Sequence, residues 1–239
     1  HYQVMSNGGV SHVNESAQLL RRKTEAVCVD GKLVALEEAN GEISGCAVIM
    51  RDLSTEQRMQ ALISFKASHD ELTGLVNRRE FEHRLHELLL RKDSTRQAGS
   101  VLVIDLDRFK LVNDSHGHMA GDRVLRALSR RLRGTLRDHD PAARLGGDEF
   151  AVILEDVAGG EEVAVTAQRL QEALSQPIEL DYGSVQVTVS IGVALYPADG
   201  NTITTLIRRA DVALYRVKDS GRNNFQFYDD TLVSLKYLL

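Results

Sequence analysis

The sequence predicts an α+β fold: an antiparallel sheet with helices on one face, in the ferredoxin-like order β-α-β-β-α-β. Three observations lead to this prediction. Residues 101–104 form a continuous apolar run that is typical of a buried central strand. Residues 120–137 carry leucines and valines at helical spacing. Residues 144–154 form two β-like runs around Gly146 and Gly147, which indicates a hairpin.

The residues before this domain are expected to form a hairpin and a helix. Residues 25–36 and 43–51 have β-like composition and are separated by a polar turn. Because an isolated hairpin is only marginally stable, it needs further strands or another surface to pack against. Residues 54–68 carry a thin apolar seam on an otherwise polar helix, which favours a linker or a two-stranded coiled coil.

Further elements complete the main domain. A helix over residues 77–91 precedes the central strand, and Pro141 prevents extension of the long helix that follows it. After the hairpin, periodicity predicts two helices and two strands, in the order helix 161–174, strand 185–195, helix 202–218 and strand 225–228. The last helix and strand are additions to the β-α-β-β-α-β core.

These elements divide the chain into four parts. We expect a partial β segment over residues 1–53 and a linker helix over 54–69. The α+β domain covers residues 70–230, and residues 231–239 form a tail or the start of a linker to a further domain.

Composition and charge exclude several classes of protein. The 239 residues can bury a core without disulfides or structural metals. The net charge of −5 argues against a general nucleic-acid-binding protein, which usually carries a basic excess. Cys28 and Cys46 lack metal-ligand spacing, and no apolar run approaches the ~20 residues that span a bilayer. We expect no nucleic-acid partner, no membrane contact within these residues, and a cytoplasmic location, either free or as the cytoplasmic part of a larger membrane-anchored protein.

Carboxylates at two predicted strand ends are candidates for chemistry. Asp105 and Asp107 follow the central strand, and Asp148 and Glu149 lie at the hairpin tip. In this fold the first and third strands are neighbours and alternate residues share a face, so Asp105 and one hairpin carboxylate can converge. Clustered carboxylates repel, and Mg²⁺, held by one or two carboxylates and by substrate phosphates, resolves that conflict. The alternative is a polar β-turn, in which Asp and Gly are common.

Basic residues near these carboxylates are candidate phosphate ligands. The loop after the central strand contains Phe109 and Lys110, and backbone N–H groups with a lysine can cradle phosphates. Lys218 and Arg222 surround the end of the last helix. The alternative is that these two cations simply offset the helix dipole.

Other polar groups match a purine base. Asn113 and Asp122 offer an amide and a carboxylate that complement guanine, or else they cap a loop. Arg137 and Asp140 close the long helix, where they form either an i,i+3 ion pair or a guanine clamp with Arg donating to O6 and N7.

Seven short motifs occur together between residues 70 and 228. The central one is RLGGDEF at residues 144–150. The other six are DELTGLVNRR at 70–79, DLDRFK at 105–110, Asn113-Asp114, Gly117-His118 with Gly121-Asp122, SIGV at 190–193, and ALY at 213–215 with Lys218, Gly221 and Arg222. In order and spacing these motifs resemble those of GGDEF-domain diguanylate cyclases.

The resemblance implies an enzyme of bacterial signalling and biofilm control that condenses two GTP into cyclic di-GMP and releases two pyrophosphates. It implies that Asp105, the Leu106 carbonyl and Asp148 bind Mg²⁺ or Mn²⁺, with Glu149 beside them as a second-metal ligand or charge partner. Asp148 and Glu149 are then the catalytic candidates, although the proton of the attacking hydroxyl could also pass to water.

The resemblance also implies a set of residues that bind GTP through its phosphates and its guanine. This set is Phe109, Lys110, Asn113, Asp122, Gly146, Gly147, Lys218 and Arg222. Because each domain holds one GTP, the active species is expected to be a homodimer with two-fold symmetry.

Two regulatory features are implied as well. Arg137 and Asp140 match the family's RxxD product-inhibition site, and Arg169 on the following helix is a second arginine for it, so cyclic di-GMP is the expected inhibitor. Residues 41–56 resemble the end of a PAS sensor domain whose front half is absent. The linker helix would then orient two cyclase domains.

Two other functions stay open at this point. One is a non-catalytic module that binds GTP or cyclic di-GMP and controls an adjacent phosphodiesterase domain; the intact Asp148-Glu149 pair favours the enzyme instead. The other is a polymerase-like palm, which has a similar sheet and carboxylates but needs a basic template channel that this sequence lacks.

Overall fold

A computed structural model describes residues 10–20, 26–40, 42–91, 98–181 and 183–232 of the chain. Parts of the predicted N-terminal segment (1–9 and 21–25) and most of the predicted tail (233–239) lie outside the described residues. The chain forms two compact units, one ending at residue 67 and the other beginning at residue 68. Among the described residues, no helix combines the length and apolarity that a membrane span requires.

The first unit contains a three-stranded antiparallel sheet and a helix. Its strands are β1 (Val10–Leu20), β2 (Ala26–Glu37) and β3 (Ile43–Asp52), in that order across the sheet, and α1 (Ser54–Ser68) follows them. The predicted hairpin and helix are both present. The sequence does not predict β1, because its apolar residues do not alternate. This strand supplies the third member that stabilises a hairpin.

The second unit contains most of the regular structure. Its strands are β4 (Val76–Asn77), β5 (Ala98–Leu106), β6 (Ala142–Gly146), β7 (Glu149–Val157), β8 (Ile178–Leu180), β9 (Gly183–Val185), β10 (Val189–Tyr196) and β11 (Phe225–Phe227). Its helices are α2 (Arg78–Leu90), α3 (Phe109–His116), α4 (His118–Thr135), α5 (Gly160–Leu174) and α6 (Ile203–Asp219).

Six of these strands form a mixed sheet in the order β11-β10-β5-β7-β6-β4. The four central strands are antiparallel and follow the predicted ferredoxin-like order, with β5 beside β7. The two edge strands, β11 and β4, pair in parallel. Strands β8 and β9 form a separate hairpin.

Helices cover both faces of this sheet, whereas the sequence predicts helices on one face only. Leu102 and Ile104 of β5 pack in a core with α3, α4 and α5. Val101 and Val103, which point the other way, pack with α2 and α6. Because β5 is buried on both faces, its residues form the continuous apolar run seen in the sequence.

Two local predictions are wrong. Residues 107–110 are expected to form a loop, but Phe109 and Lys110 begin α3, in which Phe109 and Val112 are buried. The expected strand over 185–195 is interrupted, because Val185 ends β9 and β10 begins at Val189. The interruption includes Thr188, whose carbonyl accepts a 2.9 Å hydrogen bond from the N–H of Asp107.

Candidate active site

The end of β5 and the β6–β7 hairpin lie side by side. Asp105 on β5 pairs in register with Glu149, the first residue of β7. The Leu106 N–H donates to the carbonyl oxygen of Asp148 over 3.3 Å. Directly paired residues of neighbouring strands project from the same face, so Asp105 and Glu149 share the face covered by α2 and α6. The structure therefore brings together carboxylates from two strand ends.

The turn between β6 and β7 depends on its glycines and on Arg144. Gly146 and Gly147 have φ angles of 147° and 54°, and an added Cβ would meet no atom within 4 Å at either. Backbone conformation rather than crowding therefore requires glycine here. Arg144 donates from Nε and Nη2 to the Gly147 carbonyl over 3.0 and 2.7 Å, and from Nη1 to the Asp70 carboxylate over 3.2 Å.

Asp70 in turn anchors Arg144. Burial raises the pKa of Asp70, but hydrogen bonds from Thr73 and Arg144 outweigh it, so that the pKa lies below its ordinary value. The sequence-based site omits both Asp70 and Arg144, although each lies within one of the seven motifs. Their role depends on a contact between distant parts of the chain.

Asp105 is nearly buried and lies among other charges. Its Oδ2 is 2.7 Å from Nζ of Lys218 on α6. Burial raises the pKa of Asp105, Lys218 opposes the rise, and the charges of Asp148 and Glu149 add to it. The pKa of Asp105 remains above its ordinary value, so the ammonium group only partly compensates for burial and for the neighbouring carboxylates.

The space beside Asp105 between the β6–β7 hairpin, Arg78 and α6 forms a cleft, and a further acidic residue faces it from α6. Asp211 lines a cavity of about 240 Å³ with residues that include Arg78, Glu149 and Lys218. Desolvation and the charge of Glu149 raise the pKa of Asp211 to about 6, against the opposing effect of Arg78 and Lys218. Arg78 Nη2 lies 3.7 Å from Glu149 Oε2. Sequence reasoning missed Asp211, although its seven-residue spacing from Lys218 places both on one helix face.

The oxygen donors at this edge of the sheet fit a hard divalent cation. Asp105 and Asp148 offer carboxylates and Leu106 offers a backbone carbonyl, and Mg²⁺ is commonly held by one or two carboxylates plus substrate phosphates. Within the described part of the chain, no three His, Cys, Asp or Glu side chains are assembled to hold a metal. The arrangement fits a cation that takes its remaining ligands from substrate and water.

The predicted phosphate ligands lie around the start of α3 and the end of α6. Phe109 and Lys110 begin α3, whose first turn has no side-chain cap, so its N–H groups can meet an anion. Arg222 follows α6 with a φ of 68°. It lines a cavity of about 430 Å³ that also includes Asp107 and Arg108.

The predicted guanine ligands meet where α3 and α4 join. Asn113 packs so closely against Gly121 that a Cβ there would overlap the Asn113 amide oxygen and approach the Phe109 ring. Asp122 follows Gly121 near the start of α4. The glycine thus lets the Asn113 amide lie against α4 one residue before Asp122.

The predicted product-site residues line one small cavity of about 30 Å³, which contains Arg137, Asp140 and Arg169. Arg137 pairs with Glu162 of α5, with 2.5 Å between Nη2 and Oε1. The buried Asp140 carboxylate accepts from the backbone N–H groups of Arg137 and Glu155 over 3.3 and 3.2 Å. Arg137 therefore pairs with Glu162 and not with Asp140, the partner that the sequence suggested. The sequence analysis did not identify Glu162.

Comparison with known proteins identifies relatives of the second unit. The family model for the GGDEF domain of diguanylate cyclases matches residues 67–224. The diguanylate cyclase TpbB of Pseudomonas aeruginosa is 43% identical over 175 residues, which cover 72% of this chain and 40% of TpbB. A solved GGDEF domain of TpbB has a TM-score of 0.66 at 42% identity, covering 69% of this chain and 96% of that one.

A second solved structure comes from Caulobacter crescentus. The coiled coil and GGDEF domain of DgcB, in complex with c-di-GMP, has a TM-score of 0.66 at 28% identity, covering 73% of this chain and 93% of that one. These structures confirm the predicted fold class. The chain spans between about a fifth and just under a half of the length of the curated relatives it matches. The family model begins at residue 67, so the PAS resemblance of residues 41–56 stays a prediction.

Proposed function

The chain belongs to the GGDEF family of diguanylate cyclase domains, and on that premise we propose that it condenses two GTP into cyclic di-GMP and two pyrophosphates. In each of two steps, the 3′-hydroxyl oxygen of one GTP bonds to the α-phosphorus of the other, and the bond from that phosphorus to the pyrophosphate oxygen breaks. The hydroxyl proton passes to Asp148, Glu149 or water. Two such steps close the ring.

The observation that carries this proposal is the junction of β5 with the β6–β7 hairpin. Asp105 lies in register with Glu149, and the backbone of Asp148 accepts from Leu106. Burial and like charge raise the pKa of Asp105, as expected for carboxylates held together to receive a cation. A polar β-turn alone would not require a buried carboxylate beside it.

Divalent metal would bind at this junction. Asp105, Asp148 and the Leu106 carbonyl would hold Mg²⁺ or Mn²⁺, with Glu149 as a second-metal ligand or charge partner. Such an ion, when bound, would lower the pKa of the attacking hydroxyl and offset charge on the leaving oxygens. Arg144 contributes by fixing the hairpin that carries two of these carboxylates.

The substrate would bind along the cleft through residues of several elements. The start of α3, with the Phe109 backbone and Lys110, would bind phosphates together with Lys218 and Arg222. Asn113 and Asp122 would recognise guanine. Gly146 and Gly147 leave open space at the turn, so that a ligand can approach the backbone.

Catalysis and its regulation would involve a second copy of the chain. A single domain binds one GTP in this proposal, so two domains must face each other, in a symmetric homodimer. The surface around the small cavity that Arg137, Asp140 and Arg169 line would bind cyclic di-GMP as a feedback inhibitor. The c-di-GMP complex of DgcB supports binding of this nucleotide by a related domain.

Turnover by the wild type and Asp148→Ala tests the proposed reaction. The chain is incubated with GTP and Mg²⁺ and the products are separated by chromatography. We expect cyclic di-GMP from the wild type, none from Asp148→Ala, and wild-type turnover from Glu87→Ala, which alters an exposed residue of α2. Equal turnover by the wild type and Asp148→Ala would remove Asp148 from the mechanism. Binding of GTP without any turnover would favour the non-catalytic module.

A further inference from the structure

Asp107 lies two residues beyond Asp105 and has entirely different neighbours. Its Oδ1 accepts from Ser190 Oγ over 2.7 Å. Its Oδ2 accepts from Thr188 Oγ1 over 2.7 Å and from the Asn223 N–H over 3.1 Å. The residue is only 7% exposed. Both carboxylate oxygens are thus engaged by the protein itself, which indicates a structural task rather than contact with a ligand.

The turn that Asp107 contacts has an unfavourable backbone conformation. Gly221, Arg222 and Asn223 follow α6 with φ angles of 115°, 68° and 50°. Two consecutive non-glycine residues in the left-handed region are uncommon, and they persist when surrounding contacts hold them in place. Arg222, a proposed phosphate ligand, is the middle residue of this turn.

Hydrogen bonds hold the turn through the backbone of Asn223. Its N–H donates to Asp107, and its carbonyl accepts from Gln171 Nε2 of α5 over 2.5 Å. The bond to Asp107 links the turn to the segment from β5 to α3, where Phe109 and Lys110 begin the helix. A single buried carboxylate thus connects two proposed phosphate-binding segments.

We propose that Asp107 is a positioning residue: by accepting from the Asn223 N–H, it holds the turn so that Arg222 can contact the phosphates of GTP. The inference rests on the proposed function. Asp107 and Arg222 line the same cavity of about 430 Å³, so a shift of the turn would move the guanidinium relative to that space. Loss of the carboxylate should therefore weaken binding of the triphosphate group more than binding of the guanine.

Ser190→Ala is the matched control for Asp107→Ala. It removes a hydrogen bond to the same carboxylate, but on Oδ1, the oxygen that does not contact the turn. Ser190 is fully buried, so this variant also reports the general cost of disturbing the region. Asp107→Asn is the conservative variant: its amide oxygen, in the place of Oδ2, can accept from Asn223 and Thr188, while its NH₂, in the place of Oδ1, donates to the Ser190 hydroxyl.

Calorimetric titration of the full chain, in the presence of Mg²⁺, tests the inference. The probes are the non-cleavable α,β-methylene analogue of GTP and GMP, which lacks two of the phosphates. We expect Asp107→Ala to weaken analogue binding about tenfold, as for a lost hydrogen bond to a charged group, and to change GMP binding by less than about twofold. Asp107→Asn should restore most of the loss, and Ser190→Ala should leave the ratio of the two affinities unchanged.

An Arg222→Ala background separates positioning from a general loss of structure. If Asp107 acts through Arg222, adding Asp107→Ala to Arg222→Ala should cause little further loss of analogue binding. Additive losses, or equal losses for the analogue and GMP, would overturn the inference.

Amide hydrogen exchange at residues 222–224 tests the same contact without nucleotide. Exchange there should be faster in Asp107→Ala than in the wild type, and unchanged in Ser190→Ala; equal exchange in all three would overturn the inference. A wild type that binds neither nucleotide would instead reject the proposed function, and the exchange result would still decide whether Asp107 holds the turn.

Discussion

The cleft beside Asp105 and the cavity beside Arg137 balance charge in opposite ways. In the cleft, burial and neighbouring carboxylates hold the pKa of Asp105 above its ordinary value and raise that of Asp211 to about 6. At the cavity, a hydrogen bond from the Ala158 N–H and the contact with Arg137 lower the pKa of Glu162. The cleft holds acidic groups that are incompletely compensated, whereas Arg137 and Glu162 at the cavity are already paired with each other.

This difference in charge compensation indicates which kind of ligand each region could bind. A divalent cation, alone or carried by a phosphate-bearing substrate, would offset the acidic groups that the cleft leaves incompletely compensated. A ligand at the smaller cavity must instead replace Glu162 as the partner of Arg137. A ligand of the cleft would therefore relieve repulsion between acidic groups. A ligand of the cavity would have to compete with Glu162 for Arg137.

The largest effect is expected from Asp105→Asn. We expect cyclic di-GMP formation to fall at least about a hundredfold, because loss of even the outer partners of metal ligands costs roughly 10–100-fold. The thermal midpoint should stay equal or rise at neutral pH, because a carboxyl whose pKa is raised by folding disfavours the folded state when ionised. Initial rates and calorimetry measure the two effects.

Asp156→Asn, an exposed acidic residue at the end of β7, is the control for Asp105→Asn. It should leave both the rate and the midpoint unchanged. Retained turnover in Asp105→Asn would contradict a metal-binding role for Asp105, and a midpoint several degrees lower would show that its carboxylate does not destabilise the folded state.

A smaller, pH-dependent effect is expected from Asp211→Asn. The pKa of Asp211 is raised from 3.8 to about 6 on folding, so the folded state binds more protons and its stability declines as the pH rises through this window. The variant should match the wild type near pH 4 and unfold only about one degree higher above pH 7, because Asp211 is exposed and solvent screens its repulsion from Glu149. Thermal unfolding at both pH values, with Asp156→Asn as control, measures this; an equal difference at both would contradict it.

The smallest effect is expected from Glu162→Gln, which tests whether the Arg137–Glu162 ion pair at the cavity opposes ligand binding. Freeing Arg137 should tighten cyclic di-GMP binding about two- to fivefold, the range of an exposed ion pair, and high salt should reduce the gain. Calorimetric titration with cyclic di-GMP measures this. Glu161→Gln, one residue earlier on α5, should bind as the wild type does; equal affinity in both variants would show that the ion pair does not compete with the ligand.

The strand ends were predictable because their signals are local. The apolar run before Asp105 and the Gly146-Gly147 turn each occupy a few consecutive residues, and the β-α-β-β-α-β order makes the two strands neighbours. Helix α3 gave a weaker signal. It has only eight residues, ends in Asn, Asp, Ser and His, and is stabilised by burial of Phe109 and Val112.

The partners that hold the site were less predictable. Arg144 and Asp70 are 74 residues apart, and Asn223 and Asp107 are 116 apart. Each contact exists because the sheet brings distant segments to one edge. A pattern read along the chain reports which residues are polar but not which of them meet.

The sequence by itself determined the β-α-β-β-α-β order of the core, the carboxylates at two strand ends and the family to which the chain belongs, because periodicity and short motifs are local properties. Only the tertiary structure decided how each charge is compensated. Asp105 and Asp107 are both acidic, nearly buried and two residues apart, yet one faces Lys218 and the hairpin carboxylates while the other receives three neutral donors. The energy of a buried carboxylate depends on the groups that surround it in space, and packing of distant elements selects those groups.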